Sequence, residues 1–166
     1  MDAYPLLEEV AIALQTHGLE VVLIGNAAAA LHGAPVTTID IDFLFRKTPT
    51  NLRKLKRMAD DLKAVILQPF YPVSGFYRMT RDEDGLQLDF MMVIDGVSSF
   101  EGLRSRATAV GFGEGEILVA ALADIIKSKK AAGRPRDLAV VEILEKTLDE
   151  TSRNPERKAR SSEEGE

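Results

Sequence analysis

Residues 39–45 read Ile-Asp-Ile-Asp-Phe-Leu-Phe, and an apolar side chain recurs at every second position. Because successive side chains of a β-strand point to opposite faces, the odd-numbered apolar residues share one face, while Asp40 and Asp42 share the other. The pattern therefore predicts a strand that packs one face on a core and carries two neighbouring carboxylates on the opposite face. This requirement favours a fold built around a sheet that is packed on one side and acidic on the other.

The two carboxylates suggest a metal site. Ionised carboxylates a few ångströms apart repel, so either the pKa of one rises or a divalent cation neutralises the pair. Hard oxygen ligands favour Mg²⁺ or Mn²⁺. The alternative is a surface strand whose outward side chains happen to be acidic.

The composition narrows the possible chemistry further. The chain has no Cys and only two His, His17 and His32. Disulfides, zinc–thiolate sites, iron–sulfur clusters and cysteine nucleophiles are therefore excluded, and two isolated histidines cannot form a histidine-rich metal site. Any metal chemistry has to use carboxylates.

Length and hydropathy indicate a single globular domain. A chain of 166 residues with 45% apolar residues predicts one domain at residues 1–150, followed by a polar, disordered tail at residues 151–166. The apolar stretch at residues 21–31 is interrupted by Gly25 and Asn26 and is shorter than the ~20 residues of a membrane span. The first residues lack the basic region of a secretory signal, so we expect a cytoplasmic protein.

Charge is unevenly distributed along the chain. The net charge of −5, from 21 basic and 26 acidic residues, argues against general adhesion to nucleic acid or anionic membrane. Residues 46–57 nevertheless contain six basic residues and no acid, and a second basic group spans residues 127–136. For the first group a solvated helix face is the simpler interpretation; for the second we favour a functional role.

The periodicities predict an α+β fold. A first helix of about three turns is expected to carry the apolar positions between residues 6 and 14 and to end near His17. Further helices are expected over the alanines before Gly33, from Thr48-Pro49 to about residue 63, and as a C-terminal pair at 121–132 and 135–148. Strands are expected at 20–24, 39–45, 76–80, 86–94, 107–112 and 117–119, with a hairpin turn at 81–85. Together they predict a small mixed β-sheet flanked by helices, with the C-terminal helical pair closing a cleft.

Asp89 adds a third carboxylate. It stands inside an otherwise largely apolar strand, Leu-Gln-Leu-Asp-Phe-Met-Met-Val, where an unpaired charge would be costly. If this strand lies beside the strand of Asp40 and Asp42, three carboxylates converge and can hold two metal ions ~3.5–4 Å apart, as phosphoryl or nucleotidyl transfer requires. The alternative places Asp89 on an open, exposed sheet face.

The pattern Gly25-Asn26, a gap of thirteen residues, Asp40-Ile41-Asp42 and a later strand Asp89 resembles the active-site pattern of the DNA polymerase beta-like nucleotidyltransferase superfamily. Within that superfamily, residues 24–42 are similar to small bacterial members of the toxin and abortive-infection type. The block at residues 124–138 resembles their C-terminal motifs bearing Lys and Asp. The resemblance covers residues 5–148.

The resemblance implies a nucleotidyltransferase-like domain that moves a nucleoside monophosphate from an NTP, with Mg²⁺ or Mn²⁺ as cofactor. The acceptor would be a hydroxyl of RNA, for example a tRNA 3′ end, or of a protein, and an antitoxin protein is an expected partner. It implies that Asp40, Asp42 and Asp89 bind metal and, with Lys129, form the catalytic set. The residues implied to bind the nucleotide are Gly25, Asn26, Lys127, Arg134 and Asp137; Asp137 would mainly orient a neighbouring cation.

Two positions depart from the family pattern. Asn26 stands where Gly or Ser is usual, and Val36 stands where Arg is common. An amide can still donate to a phosphate, whereas Val36 cannot. A module of the same fold that binds nucleotide, RNA or a partner protein without catalysis is therefore an alternative, and a carboxylate–metal nuclease is a third.

Overall fold

The computed structural model describes residues 4–37, 40–67 and 76–153. Within these ranges the chain forms one seven-stranded mixed sheet and six helices. The elements in chain order are α1 (Tyr4–His17), β1 (Val21–Ile24), α2 (Gly25–Leu31), β2 (Ile41–Phe45), α3 (Pro49–Leu62), β3 (Val65–Leu67), β4 (Phe76–Arg81), β5 (Leu86–Met91), α4 (Phe100–Arg106), β6 (Thr108–Phe112), β7 (Gly115–Val119), α5 (Leu122–Ala132) and α6 (Pro135–Arg153). The predicted α+β class with a C-terminal helical pair is confirmed.

The strand order is β3-β4-β5-β2-β1-β7-β6. The central pair β1 and β2 is antiparallel, while β2 runs parallel to β5 and β1 runs parallel to β7. The hairpins β4–β5 and β6–β7 extend the sheet on either side. Parallel neighbours need long crossover connections, and here the segments between β2 and β5 and between β1 and β7 provide them.

The apolar face predicted for residues 39–45 forms part of the core. Phe43 and Phe90 are buried register partners whose rings stack with centroids 5.3 Å apart. Phe45 meets Phe90 edge to face at 6.1 Å. The alternation of β2 therefore buries its aromatic residues and leaves Asp42 on the opposite face; Ile39 lies outside the described residues.

The helix α3 begins where its capping residues predict. Thr48 accepts a hydrogen bond from the backbone N–H of Asn51 through its hydroxyl, and Pro49 occupies the first helical position. Leu55, Met58 and Leu62 are buried, whereas Arg53, Lys56 and Arg57 are exposed. These three members of the first basic group thus form a solvated helix face, while Arg46 precedes the helix and pairs with Glu20 and Glu101.

Several boundaries differ from the sequence predictions. The strand β5 ends at Met91 rather than at residue 94, because the chain then bends towards α5, where Gly96 with φ of +75° lies against the carbonyl of Lys127. The helix α2 begins at Gly25 itself, and α6 continues to Arg153 rather than ending at residue 148. The rest of the predicted tail, residues 154–166, lies outside the described residues. The short elements β3 and α4 were not predicted.

No helix in the described ranges has the length and apolar character needed to cross a bilayer.

Candidate active site

A row of four residues crosses the centre of the sheet. Ile24 on β1 pairs with Asp42 on β2, Asp42 pairs with Asp89 on β5, and Asp89 pairs with Arg78 on β4. Directly opposed residues on neighbouring strands project to the same face. Asp42 and Asp89 are therefore neighbours on one face of the sheet, as predicted for these two strands. The predicted convergence of three carboxylates, including Asp40, into one metal-ligating cluster is not found in the described residues, where Asp89 binds Arg78 instead.

The electrostatic environment of Asp42 favours its protonated form. Burial, then the negative charges of Asp89 and Asp40, raise the pKa of Asp42 from 3.8 to about 6. The positive charges of Lys129 and Arg78 oppose this shift without cancelling it. Asp42 is therefore a carboxylate whose ionised form gains from a nearby cation.

Gly25 allows the backbone to approach this carboxylate. Its φ is +69°, a left-handed conformation that L-residues rarely adopt. A Cβ at this position would lie 3.3 Å from Oδ2 of Asp42. The backbone conformation thus favours glycine here, and a larger residue would also press on the Asp42 carboxylate.

Asp89 is held by an arginine that the sequence analysis did not select. The Arg78 Nε donates to Asp89 Oδ1 at 2.9 Å, and Nη2 donates to Oδ2 at 3.3 Å. Asp89 is only 6% exposed, so this two-pronged pair supplies the partner that a buried charge requires. The sequence prediction did not give this pairing, because a turn at residues 81–85 would place residue 78 opposite residue 88. The turn spans residues 82–85 instead, so Arg81 pairs with Leu86 and Arg78 pairs with Asp89.

A cavity of about 500 Å³ opens beside Asp42. Its lining includes Gly25, Asn26, Asp40 and Asp42. The end of β5 and the segment after it add Met91, Val93, Ile94 and Asp95. Further lining residues come from α5 and the start of α6. The cavity is therefore lined by acids of the sheet and also by the basic corner between the last two helices.

The basic corner is organised around one buried carboxylate. Asp137, 4% exposed, accepts hydrogen bonds from Arg134 Nε at 2.6 Å and Nη2 at 3.3 Å, and Lys129 Nζ lies 3.9 Å from its Oδ1. Burial alone raises the pKa of Asp137, but Arg134, Lys129 and Arg136 lower it overall. Burial lowers the pKa of Lys129, while Asp137 and Asp42 oppose this effect. Asp137 thus positions cations at the cavity wall.

The structure brings most of the predicted site residues together. Those that line the cavity are Gly25, Asn26, Asp40, Asp42, Lys129, Arg134 and Asp137. Asp89 lies behind Asp42 and does not line the cavity, and the exposed Lys127 also lies outside its lining. Lys127 is two residues from Lys129, so the two side chains leave the helix about 200° apart. Arg136 lines the cavity and was not among the predicted site residues.

The departure at position 26 leaves an orphaned polar atom. Asn26 Oδ1 is buried, and no donor in the described parts of the chain reaches it. Buried polar atoms are almost always paired with protein, water or ligand. Val36, the other departure, is partly buried against the core.

Two carboxylates at the cavity wall fit a divalent cation. Asp40 and Asp42 line the cavity, and burial together with the charges of Asp89 and Asp40 raises the pKa of Asp42. A cluster of three metal-ligating His, Asp or Glu side chains is absent from residues 4–37, 40–67 and 76–153. Mg²⁺ commonly uses one or two carboxylates together with substrate phosphates, so the pair by itself suits such an ion.

The fold matches solved nucleotidyltransferases, although no protein-family model and no curated protein matches the sequence. A candidate nucleotidyltransferase from Thermotoga maritima is similar with a TM-score of 0.58 and 19% identity, over 88% of this chain and 92% of that one. The antibiotic-resistance factor ANT(2″)-Ia, solved with adenylyl-2″-tobramycin, has a TM-score of 0.61 and 14% identity over 96% and 97% of the two chains. The lincosamide adenylyltransferase LnuA, solved with lincomycin, has a TM-score of 0.58 and 12% identity over 87% and 96%. The chain therefore has the nucleotidyltransferase fold.

Proposed function

We propose that the protein transfers a nucleoside monophosphate from an NTP to an acceptor hydroxyl. The observation that carries the proposal is that one cavity is lined both by the acids Asp40 and Asp42 and by the cations Lys129, Arg134 and Arg136. A triphosphate bound in this cavity can interact with those cations and with a divalent ion held by the two acids. The fold neighbours support the reaction class.

The metal-dependent form of this proposal assigns the divalent cation to Asp40 and Asp42. When bound, Mg²⁺ or Mn²⁺ neutralises phosphate charge and polarises the phosphoryl group. The chain's own cations supply the remaining positive charge on the phosphates. Lys129 acts as a point charge on the triphosphate, and Arg134 and Arg136 offer planar guanidinium groups for phosphate oxygens. Asp137 holds Arg134 and Lys129 in place for this role.

The chemical step is an in-line displacement at the α-phosphorus. The acceptor hydroxyl oxygen forms the new P–O bond, the bond from the α-phosphorus to the bridging oxygen breaks, and pyrophosphate leaves with the electron pair. The family resemblance gives Asp89 the task of helping to activate the hydroxyl. Since Asp89 is buried and does not line the cavity, we assign the departing proton to water at the open side of the cavity.

The proposal extends to the identity of the molecule that supplies the acceptor hydroxyl. The family resemblance favours an RNA hydroxyl, such as a tRNA 3′ end, or a protein hydroxyl, and a toxin role with a cognate antitoxin. The structures of ANT(2″)-Ia and LnuA contain a modified and an unmodified antibiotic, respectively, which adds small polyhydroxylated acceptors to the panel. Growth arrest on expression, relieved by a neighbouring gene product, would test the toxin role.

The test is label transfer from each α-³²P-labelled NTP, with Mg²⁺ or Mn²⁺, to tRNA, protein and aminoglycoside or lincosamide acceptors. We expect transfer by the wild type and a loss of about 100-fold or more in Asp42→Asn, because a metal ligand is removed. Lys130→Ala is the matched control, since Lys130 pairs with Glu145 away from the cavity. Transfer by folded Asp42→Asn at the wild-type rate would overturn the site assignment.

The binding module remains the second candidate because of Asn26, whose buried Oδ1 lacks a partner in the described chain. This candidate predicts calorimetric NTP binding without transfer to any acceptor. The nuclease hypothesis predicts RNA degradation in samples that contain metal but no NTP.

A further inference from the structure

Arg78 brings a permanent positive charge into the carboxylate cluster. Its guanidinium binds both oxygens of Asp89, at 2.9 and 3.3 Å. The negative charges of Asp40 and Asp42 also act on it and favour its charged form. The fork geometry of arginine matches a carboxylate in a way that the point charge of lysine does not.

Burial makes this pair more than a surface ion pair. The Asp89 side chain is 8% exposed and the Arg78 side chain is 37% exposed, so the carboxylate depends on the arginine for its charge partner. Arg78 is further held by Phe76, whose ring centroid lies 5.6 Å from the guanidinium carbon. The guanidinium is thus fixed from two sides.

A metal ion that used Asp89 as a ligand would have to compete with this arrangement. The ion would need an oxygen that already accepts a charge-assisted hydrogen bond, and it would lie close to a like charge. Asp89 also does not line the cavity, whereas Asp40 and Asp42 do. The geometry therefore separates the three carboxylates into a pair that faces the cavity and a single one that faces Arg78.

We propose that Arg78 takes the place of a second metal ion, so that the site binds one divalent cation at Asp40 and Asp42 and Asp89 is kept out of the ligand set. Arg78 is then a positioning residue that fixes the number of ions the site accepts. This inference rests on the metal-dependent form of the proposed function.

The test counts bound Mn²⁺ by electron paramagnetic resonance, with the full chain saturated by a non-hydrolysable NTP analogue. We expect one ion per wild-type chain and two per Arg78→Gln chain, because the freed Asp89 can then complete a second site. The double variant Arg78→Gln/Asp89→Asn should return to one. Arg53→Gln removes the same charge from the exposed face of α3 and should keep one ion.

Two ions in the wild type would overturn this inference and leave the proposed function intact, whereas no bound ion would contradict metal dependence itself. One ion in a folded Arg78→Gln chain, as judged by thermal melting, would also overturn it. If Arg78→Gln does not fold, Asp89→Asn tests whether Asp89 is a metal ligand. We expect Asp89→Asn to bind one Mn²⁺ ion with an affinity within ~3-fold of wild type. Loss of the ion would make Asp89 a ligand and would overturn the inference.

Discussion

Asp42 and Asp89 are register partners on two parallel strands, so their carboxylates emerge side by side on one face of the sheet. Their environments nevertheless differ. Asp89 is neutralised by Arg78, whereas Asp42 faces the cavity and has a raised pKa. This division makes Asp42 the more sensitive probe of the site.

The raised pKa of Asp42 predicts a pH-dependent stability difference. Burial, Asp89 and Asp40 raise this pKa from 3.8 to about 6, so between these values the folded protein retains a proton that the unfolded chain releases. The stability of the metal-free wild type should therefore fall, relative to Asp42→Asn, as pH rises from about 4 to 6, and the difference should stay constant above that. Thermal melting in EDTA from pH 4 to 8 measures this stability difference. If the melting temperatures of the two proteins change in parallel with pH, the pKa of Asp42 is not raised.

The two adjacent lysines of α5 should behave differently. Lys129 lines the cavity near Asp137, whereas Lys130 pairs with Glu145. A charged contact to phosphate contributes ~1.5–3 kcal/mol, so Lys129→Ala should weaken NTP binding by about 10-fold or more. Lys130→Ala and Lys127→Ala should remain within ~2-fold. Titration calorimetry with NTP and Mg²⁺ measures all three, and equal losses would mean that only diffuse charge matters.

Gly25→Ala should damage both stability and the metal site. Both Gly25 and Gly33 have positive φ, so alanine at either position costs ~1–2 kcal/mol and lowers Tm by several degrees. Only at Gly25 would the new Cβ lie 3.3 Å from the Asp42 carboxylate; at Gly33 nothing lies within 4 Å. Gly33→Ala is therefore the matched control, and we expect Mn²⁺ affinity to fall in Gly25→Ala alone. An equal loss of Mn²⁺ affinity in Gly25→Ala and Gly33→Ala would show that the close approach of Gly25 to Asp42 does not matter for metal binding.

Asn26→Ser distinguishes a crowded active site from a binding module. Serine is smaller and removes the buried Oδ1 that lacks a partner in the described chain. If the protein is a transferase, this variant should keep or raise label transfer. The module predicts no transfer from either protein. If the wild type transfers label and Asn26→Ser binds NTP equally well but does not transfer it, the Asn26 amide itself contributes to the transfer reaction.

The sequence by itself determined the local features of the site. The period-two pattern of residues 39–45 assigned Asp42 to the face opposite Phe43, and the Thr48-Pro49 pair determined the start of α3. Alternation and helix capping depend on backbone geometry within a few residues, so a short window of sequence specifies them.

The meeting of distant groups depends on the tertiary structure. The parallel pairing of β2 with β5 brings together residues separated by more than forty positions, and the cavity is lined jointly by residues of the sheet, α2, α5 and the start of α6. Periodicity could separate Lys127 from Lys129 on the helix, yet it could not tell which of them faces the cavity. Such contacts follow from the burial of apolar surface across the whole chain and from the cost of closing long loops, so no local pattern encodes them.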